Sequence, residues 1–354
     1  MPIFRFGGPF SEQRKSKKRE LRRKRQELNK VRDKERATKE KAERKVLKKR
    51  KQKLKQELFR LQGEYRVAGD ATEGAPGGWA APRAEEGPES GALPDFVIIG
   101  AKKCGTTFLY HLLTQHPHVE PAAFKEPHFF DFLFEEGVEW YRQCFPTPRW
   151  KDGRRNITGE ATPYMPGRRI PERMAEVVPQ ARLIALLRNP VDRAYSDYQQ
   201  VARTGRETRT FEEAIGVMKQ HSLSQEDEVS DGKDIADLDE DSEYLSRSVY
   251  VDQLLRWSKF FSQKQMLVLR SEDLFEHQRE TLKRVLAFLE LPAWEPEAAG
   301  PQGHQSPKFR NKRDKRNKGR YEGNMGPATR RRLEEYFEPH NHRLYDYLGV
   351  DFGW

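Results

Sequence analysis

PDFVIIGAKKCGTTFLY, residues 94–110, decides how this chain folds. Phe96, Val97, Ile98 and Ile99 form a short, β-branched apolar run bounded by Pro94 and Gly100, the pattern of a strand buried on both faces. Gly100 opens a turn, and Gly105 lets the backbone pass close to a bound anion. The amides of Gly105, Thr106 and Thr107 would then sit at the positive end of the helix that follows. The stretch predicts strand, phosphate cradle, helix, with Lys102, Lys103 and Cys104 inside the cradle.

The spacing Gly100, four residues, Gly105 fits the start of a Walker loop, yet Thr106 stands where that motif requires Lys. A cation inside the loop points to an anion held differently from the β/γ-phosphates of ATP. An ordinary βα turn with solvated lysines is the plainer alternative. A second stretch, RLIALLRNPVDRAYSDY at 182–198, repeats the layout: an apolar strand ending in Arg188, Pro190 at a helix start, and Ser196 two turns in. A nucleoside triphosphatase wants a carboxylate for Mg²⁺ at the end of such a strand, and here the position is Arg.

Together the two loops resemble the 5′-phosphosulfate loop and the 3′-phosphate site of sulfotransferases that use PAPS, 3′-phosphoadenosine 5′-phosphosulfate. KEPHFFD at 125–131, RSVY at 247–250, NKGRY at 317–321 and the closing LEEYFEPHNHRLYDYLGVDFGW extend the match over roughly residues 94–354. The order is similar to the heparan sulfate branch, above all the glucosaminyl 3-O-sulfotransferases and the N-sulfotransferases. The resemblance implies an α/β, P-loop-like three-layer fold with a central parallel sheet flanked by helices. It implies PAPS as donor, no metal, and a glycan hydroxyl or amine as acceptor.

The resemblance also assigns roles. Sulfuryl transfer runs in line, so the protein must position the reactants, supply a base and compensate charge. Glu126 is the candidate base, with His128 orienting it, contacting the acceptor or acting as the base itself. In an extended segment Glu126 and His128 would share one face, covered by Phe129 and Phe130. Lys103 would neutralise the departing nucleotide with the loop amides. Arg188 and Ser196 would grip the 3′-phosphate, and Lys318, Gly319 and Arg320 would cover the donor. Lys125, Arg168 and Arg247 are candidate acceptor contacts. Relatives commonly carry Lys after the Glu of the 156–160 segment, whereas this chain has Ala161. An ATP/Mg²⁺ phosphotransferase and a noncatalytic basic scaffold that keeps the fold are the rival readings.

The net charge of +11 is unevenly placed. Residues 11–60 hold 24 Lys and Arg against 8 Asp and Glu, +16, which leaves 11 − 16 = −5 for the rest. The basic character therefore belongs to an N-terminal arm, residues 1–65, whose helix formers and heptad-spaced leucines (Leu21 and Leu28; Leu47, Leu54 and Leu61) predict a long solvated helix. The arm could contact anionic polymers or a membrane surface through charge; it lacks the interleaved aromatics of a specific nucleic-acid binder. Residues 66–93 read as a flexible linker and 94–354 as the catalytic domain. About residues 222–243 the sequence is so acidic, with no Gly at the turn of an EF-hand loop, that a disordered insertion is expected rather than a Ca²⁺ site. Two cysteines give no disulfide framework, and no apolar run is long enough for a signal or an anchor. Compartment stays open, the Golgi lumen being what the resemblance alone implies.

Overall fold

The computed structural model describes residues 91–123, 125–205, 207–216, 244–296 and 325–354, together with scattered positions between 16 and 57. Five strands form the sheet: β1 (Phe96–Gly100), β2 (Val119–Pro121), β5 (Ile157–Glu160), β6 (Arg182–Leu187) and β7 (Met266–Arg270). Their order is β2-β5-β1-β6-β7, and every pairing is parallel. Strand β1 lies at the centre because its five residues are all buried, which requires cover on both faces. A small hairpin, β3 (Trp150–Lys151) with β4 (Arg154–Arg155), stands apart from this sheet. Its turn places Asp152 and Gly153 at positive φ, as an Asp-Gly hairpin demands.

The helices that flank the sheet come from the intervening chain: α1 (Thr106–Leu113), α2 (Phe129–Phe132), α3 (Gly137–Arg142), α4 (Ile170–Val177), α5 (Pro190–Ala202), α6 (Tyr250–Trp257), α7 (Ser271–Glu276), α8 (Gln278–Phe288) and α9 (Pro327–Leu348). The expected parallel α/β architecture is what the chain adopts. Helix α5 starts where Pro190 fits the first turn and Asn189 Oδ1 accepts from the Val191 and Asp192 amides. Parallel strands put all their carboxyl ends on one side, so the segments after β1, β5 and β6 emerge together there.

One expectation needs correction. The long basic helix is not a single rod: Arg50 Nη2 reaches Glu27 Oε1 at 3.1 Å, Lys34 pairs with Glu43 at 3.2 Å, and Lys24 pairs with Glu57. Partners 9, 23 and 33 positions apart along one straight helix would be tens of ångströms from each other for the longer two, at about 1.5 Å per residue. The chain instead doubles back, and Leu28, Val31, Leu47 and Leu54 bury against one another. The gap in the apolar stripe between Val31 and Val46 marks the reversal. Further along, a 3-10 turn at Ser246–Ser248 precedes α6, with Val249 between them.

Candidate active site

The loop after β1 is held in a shape few residues adopt. Lys103 has φ 75°, and Gly105, which caps α1, has φ 94°. A Cβ at Gly105 would stand 3.0 Å from the Phe275 ring, so glycine is required on both conformational and steric grounds. Ser271, the first residue of α7, donates its hydroxyl to the Cys104 carbonyl at 2.7 Å and ties the loop to the end of β7. The buried Cys104 thiol is pushed up to about 12 by desolvation, which leaves it protonated.

The two loops that the sequence placed 80 residues apart converge on α5. Lys102 Nζ lies 2.9 Å from Asp197 Oδ1, and Lys103 Nζ donates to Gln200 Oε1 at 2.8 Å. Asp197 is buried, as is Ser196 beside it. Arg193, also buried, donates to Asp197 Oδ2 at 3.1 Å, to Ser248 Oγ at 2.6 Å and to the Tyr244 carbonyl at 2.7 Å. Arg188 follows β6, and its carbonyl accepts from the Tyr250 hydroxyl at 2.9 Å. Its neighbour Asn189 donates its amide to Glu272 Oε1 at 3.0 Å. Thr106 is half-buried and Thr107 exposed at the start of α1.

Electrostatics shows how charged this corner is. Burial would raise the Asp197 carboxyl, but Arg193, Lys102 and Arg247 outweigh it and hold it at about 2. Lys103 moves the other way, to about 8: desolvation lowers it first, and Lys102, Arg203 and Arg188 add repulsion that Asp197 only partly offsets. Burial of the ammonium, more than the cations around it, brings Lys103 this close to losing its proton, and a strongly shifted group in a cluster of charged residues is a candidate functional group. Among the described residues no group of three or more His, Cys, Asp or Glu is placed to hold a metal ion.

The KEPHFFD segment corrects the sequence reading. It is not extended: Glu126 and His128 have φ 61° and 56°, two left-handed residues that flank Pro127. Phe129 and Phe130 do not cover the site but lie in the core, Phe129 stacked on Tyr141 with centroids 4.4 Å apart. Glu126 pairs with Lys125. His128 Nδ1 bonds Asp131 Oδ2 at 2.7 Å, a partner the sequence did not single out although it lies one helical turn away. Burial opposes the His128 charge, but Asp131, then Glu126 and Glu160, outweigh it and raise the imidazole above its ordinary range. Lys103, Glu126 and His128 are three of the five described non-glycine residues at positive φ, and such backbone strain gathers where function requires it.

Elsewhere the placement is mixed. Arg247 is half-buried in the turn before α6 and contributes to the field on Asp197. Arg168 and Arg169 are exposed, and Ala161 is buried. Arg168 is near enough to Arg256 to help lower it, behind desolvation, while Arg256 Nη1 donates to the Pro166 carbonyl at 3.3 Å. Lys318, Gly319 and Arg320 lie outside the described residues, as do the acidic insertion and residues 66–90 of the linker. Sequence reasoning missed Asp197, Gln200, Arg193 and Arg256; the helical spacing from Ser196 could have pointed to Arg193, three residues before it, and Gln200, four after.

A sulfotransferase-domain family profile matches residues 93–342, and the chain belongs to that family. It is 32% identical to human heparan sulfate glucosamine 3-O-sulfotransferase 3A1 over 81% of this chain and 68% of that one. It is 33% identical to human heparan sulfate glucosamine 3-O-sulfotransferase 6 over 76% and 75% of the two chains. Among solved structures, a sulfotransferase from Alicyclobacillus acidocaldarius superposes with a TM-score of 0.55 at 26% identity, over 74% of this chain and 98% of that one.

Proposed function

We propose that this sulfotransferase moves the sulfuryl group of PAPS to a hydroxyl of a glycan, in the manner of the heparan sulfate glucosamine 3-O-sulfotransferases it resembles. The observation that carries the reading is the convergence of Lys103 and Arg188 on one helix, at the carboxyl ends of adjacent strands, in a pocket where desolvation, with Lys102, Arg203 and Arg188 nearby, brings Lys103 down to about 8. Such a pocket suits a nucleotide with phosphates at two places. The loop amides of Gly105, Thr106 and Thr107, with Lys102 and Cys104 beside them, hold the 5′ end, and Arg188 and Ser196 hold the 3′-phosphate. Lys318, Gly319 and Arg320 would close over the donor.

The remaining roles follow from charge. Glu126 takes the proton of the acceptor hydroxyl as its oxygen bonds to sulfur. Lys103 meets the negative charge that appears on the bridging oxygen as the sulfur–oxygen bond to the nucleotide breaks. His128 is the poorer base of the two, because Asp131 and the neighbouring carboxylates shift its imidazole toward the protonated form, and it serves the acceptor as a donor. Lys125, Arg247 and Arg168, with Arg256 behind it, supply cations for the acids of the acceptor chain. An ATP/Mg²⁺ phosphotransferase finds no carboxylate at the end of β6, where Arg188 stands.

The test is transfer of labelled sulfate from PAPS to a panel of desulfated and sulfated polysaccharides, with disaccharide analysis of the product. O-sulfated glucosamine is the expected product, and Glu126→Gln should lower the rate by at least about a hundredfold. Transfer unaffected by that change removes the base, and Mg²⁺-dependent binding of ATP in preference to 3′-phosphoadenosine 5′-phosphate overturns the donor.

A further inference from the structure

Glu160 ends β5 and is fully buried, yet nothing in the proposed transfer uses it. Three hydroxyls point at its carboxylate. Tyr141 donates to Oε1 at 2.6 Å, Tyr164 donates to the same oxygen at 3.2 Å, and Thr162 donates to Oε2. A phenol has one proton to give, so Tyr164, having committed its hydrogen to Glu160, turns a lone pair outward. That lone pair accepts the Phe129 amide at 3.0 Å.

Phe129 is the residue after His128, where the chain leaves its left-handed turn and enters α2. Left-handed backbone is costly for a residue with a Cβ, and two such residues flanking a proline persist only where the surroundings fix them. The Phe129 amide, one residue past the turn, has its partner in another element. Its anchor belongs to the sheet: Glu160 pairs with Val97 of β1, the strand that carries the Lys103 loop.

We propose that Glu160, acting through Tyr164, is a positioning residue that fixes the Glu126–His128 turn relative to the donor loop. The inference rests on the sulfotransferase roles given above. Neither Glu160 nor Tyr164 touches donor or acceptor; the carboxylate sets the hydroxyl, the hydroxyl sets the amide, and the amide sets the base. Tyr141 donates to the same carboxylate oxygen, whereas it is the Tyr164 hydroxyl that accepts the Phe129 amide, so Tyr141 separates positioning from packing.

The test uses four variants of the full chain, each measured for kcat, acceptor KM, 3′-phosphoadenosine 5′-phosphate affinity and amide exchange at Phe129. Tyr164→Phe keeps the ring and should lower kcat roughly ten- to a hundredfold, the usual effect of a small misplacement, with nucleotide affinity within about twofold of wild type and faster Phe129 exchange. Tyr141→Phe should keep kcat within about twofold, although it removes a bond to the same oxygen. Glu160→Met should lose kcat as Tyr164→Phe does, and Glu160→Gln, which retains an acceptor oxygen, should recover part of that loss. Wild-type kcat in Tyr164→Phe, or an equal loss in Tyr141→Phe, overturns the inference. Glu126→Gln run alongside keeps the two readings apart: transfer that survives it sinks the assignment of the base, whereas an inactive Glu126→Gln with a fully active Tyr164→Phe sinks only the positioning role.

Discussion

Lys103 should make nucleotide binding depend on pH in a range where ordinary lysines do not titrate. In the free protein its ammonium is held at about 8, chiefly by desolvation. A phosphate or sulfonate beside it favours the charged form, so binding draws on the protonated fraction. That fraction is about one half at pH 8, one tenth at pH 9 and one hundredth at pH 10, a loss of about 1.4 kcal/mol for each unit above 8. Titration calorimetry with 3′-phosphoadenosine 5′-phosphate from pH 7.5 to 9.5 at constant ionic strength measures it, since the phosphate's own second ionisation, near 6, is complete there. At pH 8 binding should also take up about half a proton, visible as a dependence of the apparent enthalpy on the buffer. Lys103→Arg keeps its charge beyond pH 12 and should show a flat profile. A wild-type affinity that stays level to pH 9.5, or an arginine variant that declines in parallel, would refute the link between this proton and the anion.

Three further changes probe the same corner. Asp197→Ala strands the buried Arg193 charge and should cost about 3–5 kcal/mol in urea unfolding. The Asp197 carboxyl, held at about 2 against an ordinary 3.8, should contribute roughly 2–3 kcal/mol that is fully present above pH 4 and fades as pH falls towards 2. Glu160, raised to about 7 by burial, makes the folded state take up a proton between pH 4.5 and 7; stability should therefore decline across that window by up to about 3 kcal/mol, and Glu160→Gln should flatten the curve. Arg188→Ala should weaken 3′-phosphoadenosine 5′-phosphate by about 1.5–3 kcal/mol in a binding titration, while adenosine 5′-monophosphate, which has no 3′-phosphate, binds as before.

Much of the fold was legible because its signals are local. The runs Phe96–Ile99 and Arg182–Leu187 are apolar and β-branched or leucine-rich, and the glycine and proline that follow punctuate them without ambiguity. The KEPHFFD turn was not legible, because left-handed φ at Glu126 and His128 is imposed by partners such as Tyr164, distant in sequence. Phe129 and Phe130 looked like a cover over a cleft for the same reason: a pair of aromatics reads alike whether it faces ligand or core, and only the stacking on Tyr141 decides. Lys103 and Arg188 were found from loop chemistry, whereas Asp197, which pairs with Lys102 and Arg193, sits mid-helix, where a charged residue ordinarily faces water. The arm shows the reverse case, in which helix formers and heptad-spaced leucines gave no hint that the chain turns round between Val31 and Leu47.

One feature of the sheet governs what the pocket can accept. Strands β1 and β6 are hydrogen-bonded neighbours, about 4.8 Å apart, with Ile98 opposite Ile184. The mounts of the two proposed anion sites are thus bolted to a common frame, and no flexing of either loop alters the span between their roots. A sheet used in this way is a caliper: it gauges how far apart a molecule carries its negative ends, and it does so before any contact with base or sugar is made.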